Sequence, residues 1–335
     1  MTEADWRQAA FRGEFRQAML ADLQHWLASR AGPDAAPAYA LIDAGQLHLT
    51  EADLEALLHK HRLAFEPLLR HTPEAQLESV GPYLVPLGNA DAHGLGAIAG
   101  LMEYGWPVCF LSSRLPDFKL HSHLRGCLNG RLENGAPVQL RYYDSRVLPP
   151  LLATASDQVR GPLLAPLDAV AWWDRALRWQ VTKGGNSSQF LPDTAAFELS
   201  DTLIEALGSA GEPDLILSLI TEENAAVDEL GALSPHLQYQ IVAELVQRAR
   251  AHGLTSKAAI HLFCSIGLRV CPTFDQALPG VALALTSLRP KDEAFLEAVD
   301  MAPNDQWGAA GKVGALQFAA KRQRFAHDIR SRLKP

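Results

Sequence analysis

Three arginines and one aspartate near the middle of the chain have the residue types and spacing to bind an anion. The segment LRYYDSRVLPPLL contains Arg141, Asp144 and Arg146, and Arg125 lies in the helical segment before it. Guanidinium groups bind carboxylates and phosphates through paired hydrogen bonds. The cluster is therefore either an anion site, for a phosphate or a partner's carboxylate, or an internal ion-pair network around Asp144 that locks the following helix onto a sheet. We favour the network, because buried arginines are usually paired.

A second candidate is the segment HSHLRGC, in which His121, His123 and Cys127 lie close together. Imidazole and thiolate are the ligands that zinc prefers, but zinc needs four ligands that converge. On a helix, His121 and Cys127 would not face the same side as His123, so Asp91 and His93 would have to join from a loop. We therefore predict surface or capping histidines, no metal site and no cofactor.

Tryptophans form a third candidate near the end of the α/β part of the chain. Trp172 and Trp173 are adjacent, and Trp179 follows them. Successive side chains of a strand point to opposite faces of the sheet, so one member of the adjacent pair must point away from the face that holds the other. That residue meets either the helical domain or a partner, because aromatic residues serve both as ordinary core and as binding hot spots.

The sequence lacks the common catalytic signatures. It contains no P-loop, no Rossmann glycine fingerprint, no zinc-protease motif and no nucleophile elbow. We assign no catalytic residue and expect a protein that is not an enzyme. The rival interpretation is an α/β hydrolase or transferase that acts on an anionic substrate through Arg141, Asp144, His121 and His123.

Composition narrows the class of protein further. The chain has 335 residues and a formal net charge of -8, so a general affinity for nucleic acid or an anionic membrane is not expected. The first residues lack the apolar core of a secretory signal, and no apolar run is long enough to span a membrane. The four cysteines show no paired metal spacing and suit a reducing compartment. We expect a cytoplasmic protein.

Hydrophobic periodicity predicts an α/β lobe over residues 1–185, a linker over residues 186–196 and an all-α lobe over residues 197–335. Helical patterns separate the strand-like runs of the first lobe, which favours a mixed, mainly parallel sheet flanked by helices. Its final two strands look like an antiparallel hairpin. The predicted strands are Ala38–Ala44, Gly81–Leu87, Trp106–Ser113, Ala136–Asp144, and the pair AVAWWD and ALRWQV.

Capping residues mark individual helices. Thr50 is predicted to cap one helix, with Asp53 three residues later. Ser234 is predicted to cap the clearest helix of the second lobe, which Pro235 opens and Gly253 terminates. Its predicted buried stripe consists of Leu237, Ile241, Leu245 and Ala249.

Several strings, taken together and in order, resemble the landmarks of bacterial type VI secretion effector chaperones, also called adaptors. The strings are YALIDA (39–44), TPEAQLESVGPYLVPL (72–87), HLRG (123–126) and LRYYDSRVLPPLL (140–152). The last string departs from the family pattern at Ser145, where a proline is usual. The resemblance covers roughly residues 39–173, and RARAHGLTSKAAIHLF (248–263) is similar to the variable C-terminal part of such proteins.

The resemblance implies a non-enzymatic chaperone. Members of this family bind a cognate secreted effector in the cytoplasm and help load it onto the spike protein at the tip of the secretion tube. The resemblance brings no catalytic residues. It leaves Arg125, Arg141, Asp144, Arg146, Trp172 and Trp173 as residues of the family motif or of an interface.

Overall fold

The computed structural model describes residues 3–47, 53–70, 72–223 and 233–333. The chain divides into two compact units. The first comprises Met1–Gly211 with Arg332–Pro335, and the second comprises Glu212–Ser331. Residues 186–196, the predicted linker, lie within the first unit, and the division falls later in the chain.

The strands, in chain order, are β1 (Ala38–Asp43), β2 (Glu66–Pro67), β3 (Pro82–Pro86), β4 (Val108–Ser113), β5 (Asn129–Leu132), β6 (Pro137–Gln139), β7 (Leu167–Trp173), β8 (Trp179–Lys183) and β9 (Phe197–Leu199). The α-helices are α1 (Glu3–Ala28), α2 (Leu54–Lys60), α3 (Ala92–Gly100), α4 (Asp117–Gly126), α5 (Leu148–Thr154), α6 (Asp157–Leu164), α7 (Asp201–Glu223), α8 (Pro235–Ala251), α9 (Lys257–Arg269), α10 (Phe274–Ala277), α11 (Pro279–Thr286), α12 (Lys291–Asp300) and α13 (Asn304–Ser331).

The first unit is built on a six-stranded sheet with the strand order β2-β3-β1-β4-β7-β8. Every neighbouring pair in this sheet is antiparallel, so the prediction of a mainly parallel sheet is wrong. The physical reason lies in the position of β1. Strands β3 and β4, which helix α3 connects, do run in the same direction, but β1 is inserted between them and runs the opposite way. The predicted antiparallel hairpin of β7 and β8 is confirmed.

Alternation along the central strands gives the sheet two buried faces. One face carries Phe110 and Trp173 and packs against helix α1, whose Trp26 ring lies 6.1 Å from that of Phe110. The opposite face carries Leu41, Leu111 and other apolar side chains that share a core with helices α4, α5 and α6. Burial on both faces explains why these strands read as continuous apolar runs that suggest a parallel sheet.

A second, three-stranded sheet has the order β6-β5-β9 and contains the one parallel pair of strands recorded among the described residues, β5 with β9. Two predictions are wrong here. The predicted strand Ala136–Asp144 is extended only over Pro137–Gln139, because the chain turns at Tyr142 and Tyr143. The all-α lobe predicted from residue 197 begins with a strand, since Phe197–Leu199 pairs with β5.

The second unit is helical over its described residues. Helix α8 begins at Ser234, whose side chain accepts a hydrogen bond from the Leu237 amide, and Gly253 ends it with a positive φ of 84°, as predicted. Its predicted apolar stripe is buried and joins Phe263 of α9 and Phe295 of α12 in one core. This part of the chain is therefore mainly helical.

Two smaller points complete the fold. Asp53 caps helix α2 by accepting a hydrogen bond from the Ala56 amide, whereas the predicted cap Thr50 lies outside the described residues. Within the described ranges, no helix combines the length and the apolar character needed to cross a membrane.

Candidate functional site

The arginine–aspartate cluster forms where β1 ends and where the chain turns after β6. Asp43 is the last residue of β1, and its side chain is fully buried. Asp144 lies in the turn and is 2% exposed. The two carboxylates share a partner, since Arg141 Nη2 lies 2.5 Å from Asp43 Oδ2 and 3.5 Å from Asp144 Oδ2.

Asp144 is the most fully bonded member of the cluster. Arg146 donates to it from Nε and Nη2 at 2.9 and 2.8 Å, and the backbone amide of Arg146 donates at 2.9 Å. The Gln46 side-chain amide donates to Asp144 Oδ1 at 3.2 Å and to Asp43 Oδ2 at 3.0 Å. A buried carboxylate with this many donors is held in one position.

The turn itself is fastened to its neighbours by its other side chains. Tyr142 Oη donates to the Leu124 carbonyl of α4 at 2.9 Å, and Ser145 Oγ donates to the Trp106 carbonyl at 2.6 Å. The same Trp106 carbonyl accepts from Gln46 Nε2. These bonds fasten the turn to helix α4 and to the segment before β4. The segment after β1 is fastened at the same carbonyl, so the position of the turn is stabilised.

Two opposing effects act on the pKa of Asp43. Burial raises it and the nearby Asp144 carboxylate raises it further, whereas the Arg141 guanidinium lowers it. The net direction is upward, because burial is the largest effect. Both arginines keep part of their side chains in solvent, with 41% exposure for Arg141 and 27% for Arg146. The arrangement holds two buried carboxylates neutralised by two arginines at the protein surface.

Arg125 does not join this cluster. Its Nε donates to the Leu68 carbonyl at 3.1 Å, and its Nη2 donates to Glu66 Oε1 at 3.0 Å. His121 contacts the other oxygen of Glu66 at 2.9 Å. The expected meeting of Arg125 with Asp144 is therefore wrong. Helix α4 packs over the sheet and directs Arg125 toward the edge strand β2. Strand β3 lies between β2 and β1, and β1 is the strand that carries Asp43.

His123 lies in the core, so the prediction of a surface or capping histidine is wrong for this residue. Its ring connects two chain segments. Its Nδ1 accepts from the Leu191 amide at 3.2 Å, and its Nε2 lies 3.1 Å from the Leu163 carbonyl. Burial lowers its pKa to about 4, so the ring is neutral near pH 7. Cys127 Sγ lies 3.6 Å from the same Nε2, so the expectation that Cys127 would not face the same side as His123 is wrong, because residues four positions apart share a helix face. In the part of the chain that the structure describes, no group of three or more His, Cys, Asp or Glu side chains is arranged to hold a metal ion.

The adjacent tryptophans both lie within the first unit. Trp173 is fully buried, donates from Nε1 to Asp22 Oδ2 at 3.0 Å and contacts the Trp179 ring at 4.8 Å. Trp172 points to the opposite face, where it is 7% exposed and belongs to the core around Leu41. Each ring is thus packed against side chains of its own unit.

Sequence reasoning missed Asp43 and Gln46. Asp43 carries a usable signal, because it is a charged residue that closes the apolar run YALI, and a buried charge at a strand end requires a partner. Gln46 carries no comparable signal. Its role depends on the distance between β1 and the turn, which local sequence does not reveal.

Comparisons with known proteins give one match. A family model described as a domain of unknown function (DUF4123) matches residues 38–162, which is less than half of the chain. The matched range includes β1, the arginine–aspartate cluster and helix α4. Searches of the curated proteins and of the solved structures found no match.

Proposed function

We propose that this protein is a non-enzymatic adaptor that binds a type VI secretion effector in the cytoplasm and helps to load it onto the spike protein. The match of residues 38–162 to the DUF4123 model carries the proposal, because that family is generally associated with type VI secretion effector adaptors. The matched range coincides with most of the landmark strings quoted above.

The bonding of the arginine–aspartate cluster supports a structural role for the family motif. Asp43 and Asp144 are buried and their oxygens are occupied by Arg141, Arg146 and Gln46. A substrate anion would have to compete with carboxylates that already hold the guanidinium groups. The proposal therefore gives these residues no catalytic step.

Exposed apolar side chains in the helical unit support a role in binding proteins. Apolar side chains that adjoin one another on a surface mark interaction sites, and Leu215 with Leu219 on α7, and Val313 with Leu316 on α13, are one helical turn apart. The helical unit, although the smaller of the two, contributes most of the large exposed apolar residues recorded: Leu215, Leu219, Leu283, Leu288, Leu296, Met301, Val313 and Leu316. The α/β unit, by comparison, buries both faces of its main sheet. We propose that the helical unit makes cargo contacts and that the α/β unit is the common scaffold.

Co-expression tests the proposal. The tagged chain is produced together with the effector and the spike protein encoded near its gene, and the purified material is analysed by mass spectrometry. We expect a stable complex with the effector and a higher yield of soluble effector. Failure of both proteins to co-purify would rule the adaptor function out.

A further inference from the structure

Arg62 occupies a backbone position that normally belongs to glycine. It follows helix α2 with a positive φ of 52°. The Arg62 amide donates to the His59 carbonyl at 3.0 Å, and the Leu63 amide donates to the Leu58 carbonyl at 2.9 Å. This pair of bonds is the Schellman motif, in which the residue with left-handed backbone is usually glycine.

An arginine at this position destabilises the fold relative to glycine. Left-handed backbone brings the Cβ of an L-residue close to its own carbonyl oxygen, and glycine avoids that contact. The Arg62 side chain is exposed and has no ion-pair or hydrogen-bond partner among the described residues, so no contact within the fold offsets the strain. Strained residues of this kind concentrate at binding sites.

The side chain of Arg62 lines an open cleft on the α/β unit. The cleft is also lined by Glu55, His59, Leu63, Ala64, Phe65 and Arg70. Phe65 forms an aromatic surface, because its ring centroid lies 5.2 Å from that of His59 and 5.7 Å from that of Tyr83. The cleft therefore combines an apolar floor with walls that carry two arginines, Arg62 and Arg70, and one glutamate, Glu55.

The acidic groups around the cleft are already bound to other side chains. Tyr83 Oη donates to Glu55 Oε1 at 2.7 Å, and Glu78 pairs with Arg70 at 2.6 Å. Arg62 is consequently the guanidinium in the cleft for which the described residues offer no carboxylate. A guanidinium binds a carboxylate through two parallel hydrogen bonds.

We propose that this cleft binds an acidic segment of a partner protein, in which an aspartate or glutamate lies beside an apolar side chain. The carboxylate pairs with Arg62, and the apolar neighbour packs on Phe65. The proposal rests on the adaptor function for the identity of the partner, since the spike protein would supply the segment to the common α/β scaffold. The residues that would bind the segment all lie in this chain, so binding can be measured without the partner protein.

The test uses the full chain and a fluorescein-labelled peptide of Leu-Asp pairs separated by Gly-Ser. Fluorescence anisotropy measures binding of this peptide and of a matched peptide with Asn in place of Asp. We expect the Asp peptide to bind at least about tenfold more tightly, the factor for losing one charge-assisted pair. Equal binding of the two peptides, or none, would overturn the proposal.

Two variants of Arg62 separate strain from charge. Arg62→Gly removes both, and Arg62→Gln removes the charge while the backbone strain stays. Both variants should bind the Asp peptide at least about tenfold more weakly than the parent chain. Only Arg62→Gly should raise the denaturant concentration at the midpoint of unfolding. Retained binding in either variant contradicts the assignment.

The matched control is Asn186→Gly, which relieves another positive φ, of 47°, outside the cleft. It should leave peptide binding unchanged, and a loss there would show that binding does not depend on the cleft. Displacement of the peptide by inorganic phosphate at low concentration would identify a simple anion site and would also overturn the proposal. If neither the effector nor the spike protein co-purifies but the peptide data hold, the adaptor function fails while the cleft assignment stands.

Discussion

Each of the two units contains a buried aspartate bound to arginine, and the two clusters differ in how they are assembled. In the α/β unit, Asp144 accepts hydrogen bonds from a residue two positions along the chain, and it shares Arg141 with a second carboxylate. In the helical unit, Asp275 is 3% exposed and lies between Arg248 at 3.0 Å and His252 at 3.1 Å, both contributed by the end of α8.

The difference shows which kind of cluster a sequence can reveal. The first cluster is dense along the chain, so three of its members appear in one short string. The second joins residues from two helices and is as deeply buried. Burial of a paired carboxylate is therefore not special to the family motif, which weakens any argument that Arg141 and Asp144 form an active site merely because they cluster.

The largest expected effect is that of Asp144→Ala. The substitution leaves Arg146 and part of Arg141 without their buried carboxylate, and breaking a buried pair costs about 3–5 kcal/mol in the free energy of unfolding. Tryptophan fluorescence during denaturant unfolding reports this unit, because six of the seven tryptophans precede residue 180. Asp157→Ala is the control, since Asp157 pairs with Arg160 but is 90% exposed. A loss for Asp144→Ala no larger than that of the control would show the network to be dispensable.

Arg248→Ala tests the second cluster and should cost less, about 1.5–3 kcal/mol, because it removes the ion pair with Asp275 and the hydrogen bond that Arg248 donates to the Pro272 carbonyl. Asp275 keeps its contact with His252, so the carboxylate is not left alone. Far-UV circular dichroism follows this unit, which is mainly helical. Arg250→Ala is the control on the same helix, because Arg250 pairs with Glu212 and is 51% exposed. An equal loss in both variants would mean that burial of the carboxylate does not matter.

Sequence patterns predicted the elements better than their arrangement. Helix α8 was predicted with its cap, its buried stripe and its terminating glycine, because all of these signals are local. The strands β1, β3, β4, β7 and β8 were also placed close to their observed positions. The direction of pairing was wrong, because insertion of β1 between β3 and β4 is a tertiary choice that no local pattern records.

The candidate site shows the same limit. Arg141, Asp144 and Arg146 were grouped correctly because they are neighbours in sequence. Arg125 was grouped with them wrongly, since the orientation of α4 over the sheet decides which carboxylate it meets. The strand predicted through Asp144 ended early because the chain turns at Tyr142 and Tyr143, and Arg141 at the start of that turn lies beside Asp43.

Acidification tests the α/β unit through His123, whose pKa of about 4 lies below the ordinary value of 6.5. Between these two values the unfolded chain binds a proton that the folded chain does not, so stability falls as the pH is lowered through this window. We expect a loss of about 2 kcal/mol between about pH 7.5 and about pH 5 from this residue.

The raised pKa of Asp43 acts in the opposite direction, because its folded form takes up a proton before the unfolded chain does. Comparing His123→Gln with the parent therefore isolates the histidine. The variant should show a shallower pH dependence of the fluorescence-detected unfolding midpoint. An unchanged slope would contradict the assignment of His123 as a neutral core residue.

The smallest expected effect is that of Arg125→Ala, which compares the edge of the main sheet with its centre. Arg125 binds the Leu68 carbonyl and Glu66 at the short edge strand β2, where Glu66 is 36% exposed. Water can replace these bonds, so the loss should be about 1 kcal/mol. Hydrogen exchange should localise it to the amides around β2, with the amides of β1 and β4 unaffected. A loss as large as that of Asp144→Ala, spread over the whole sheet, would show that the edge and the central cluster form one cooperative network.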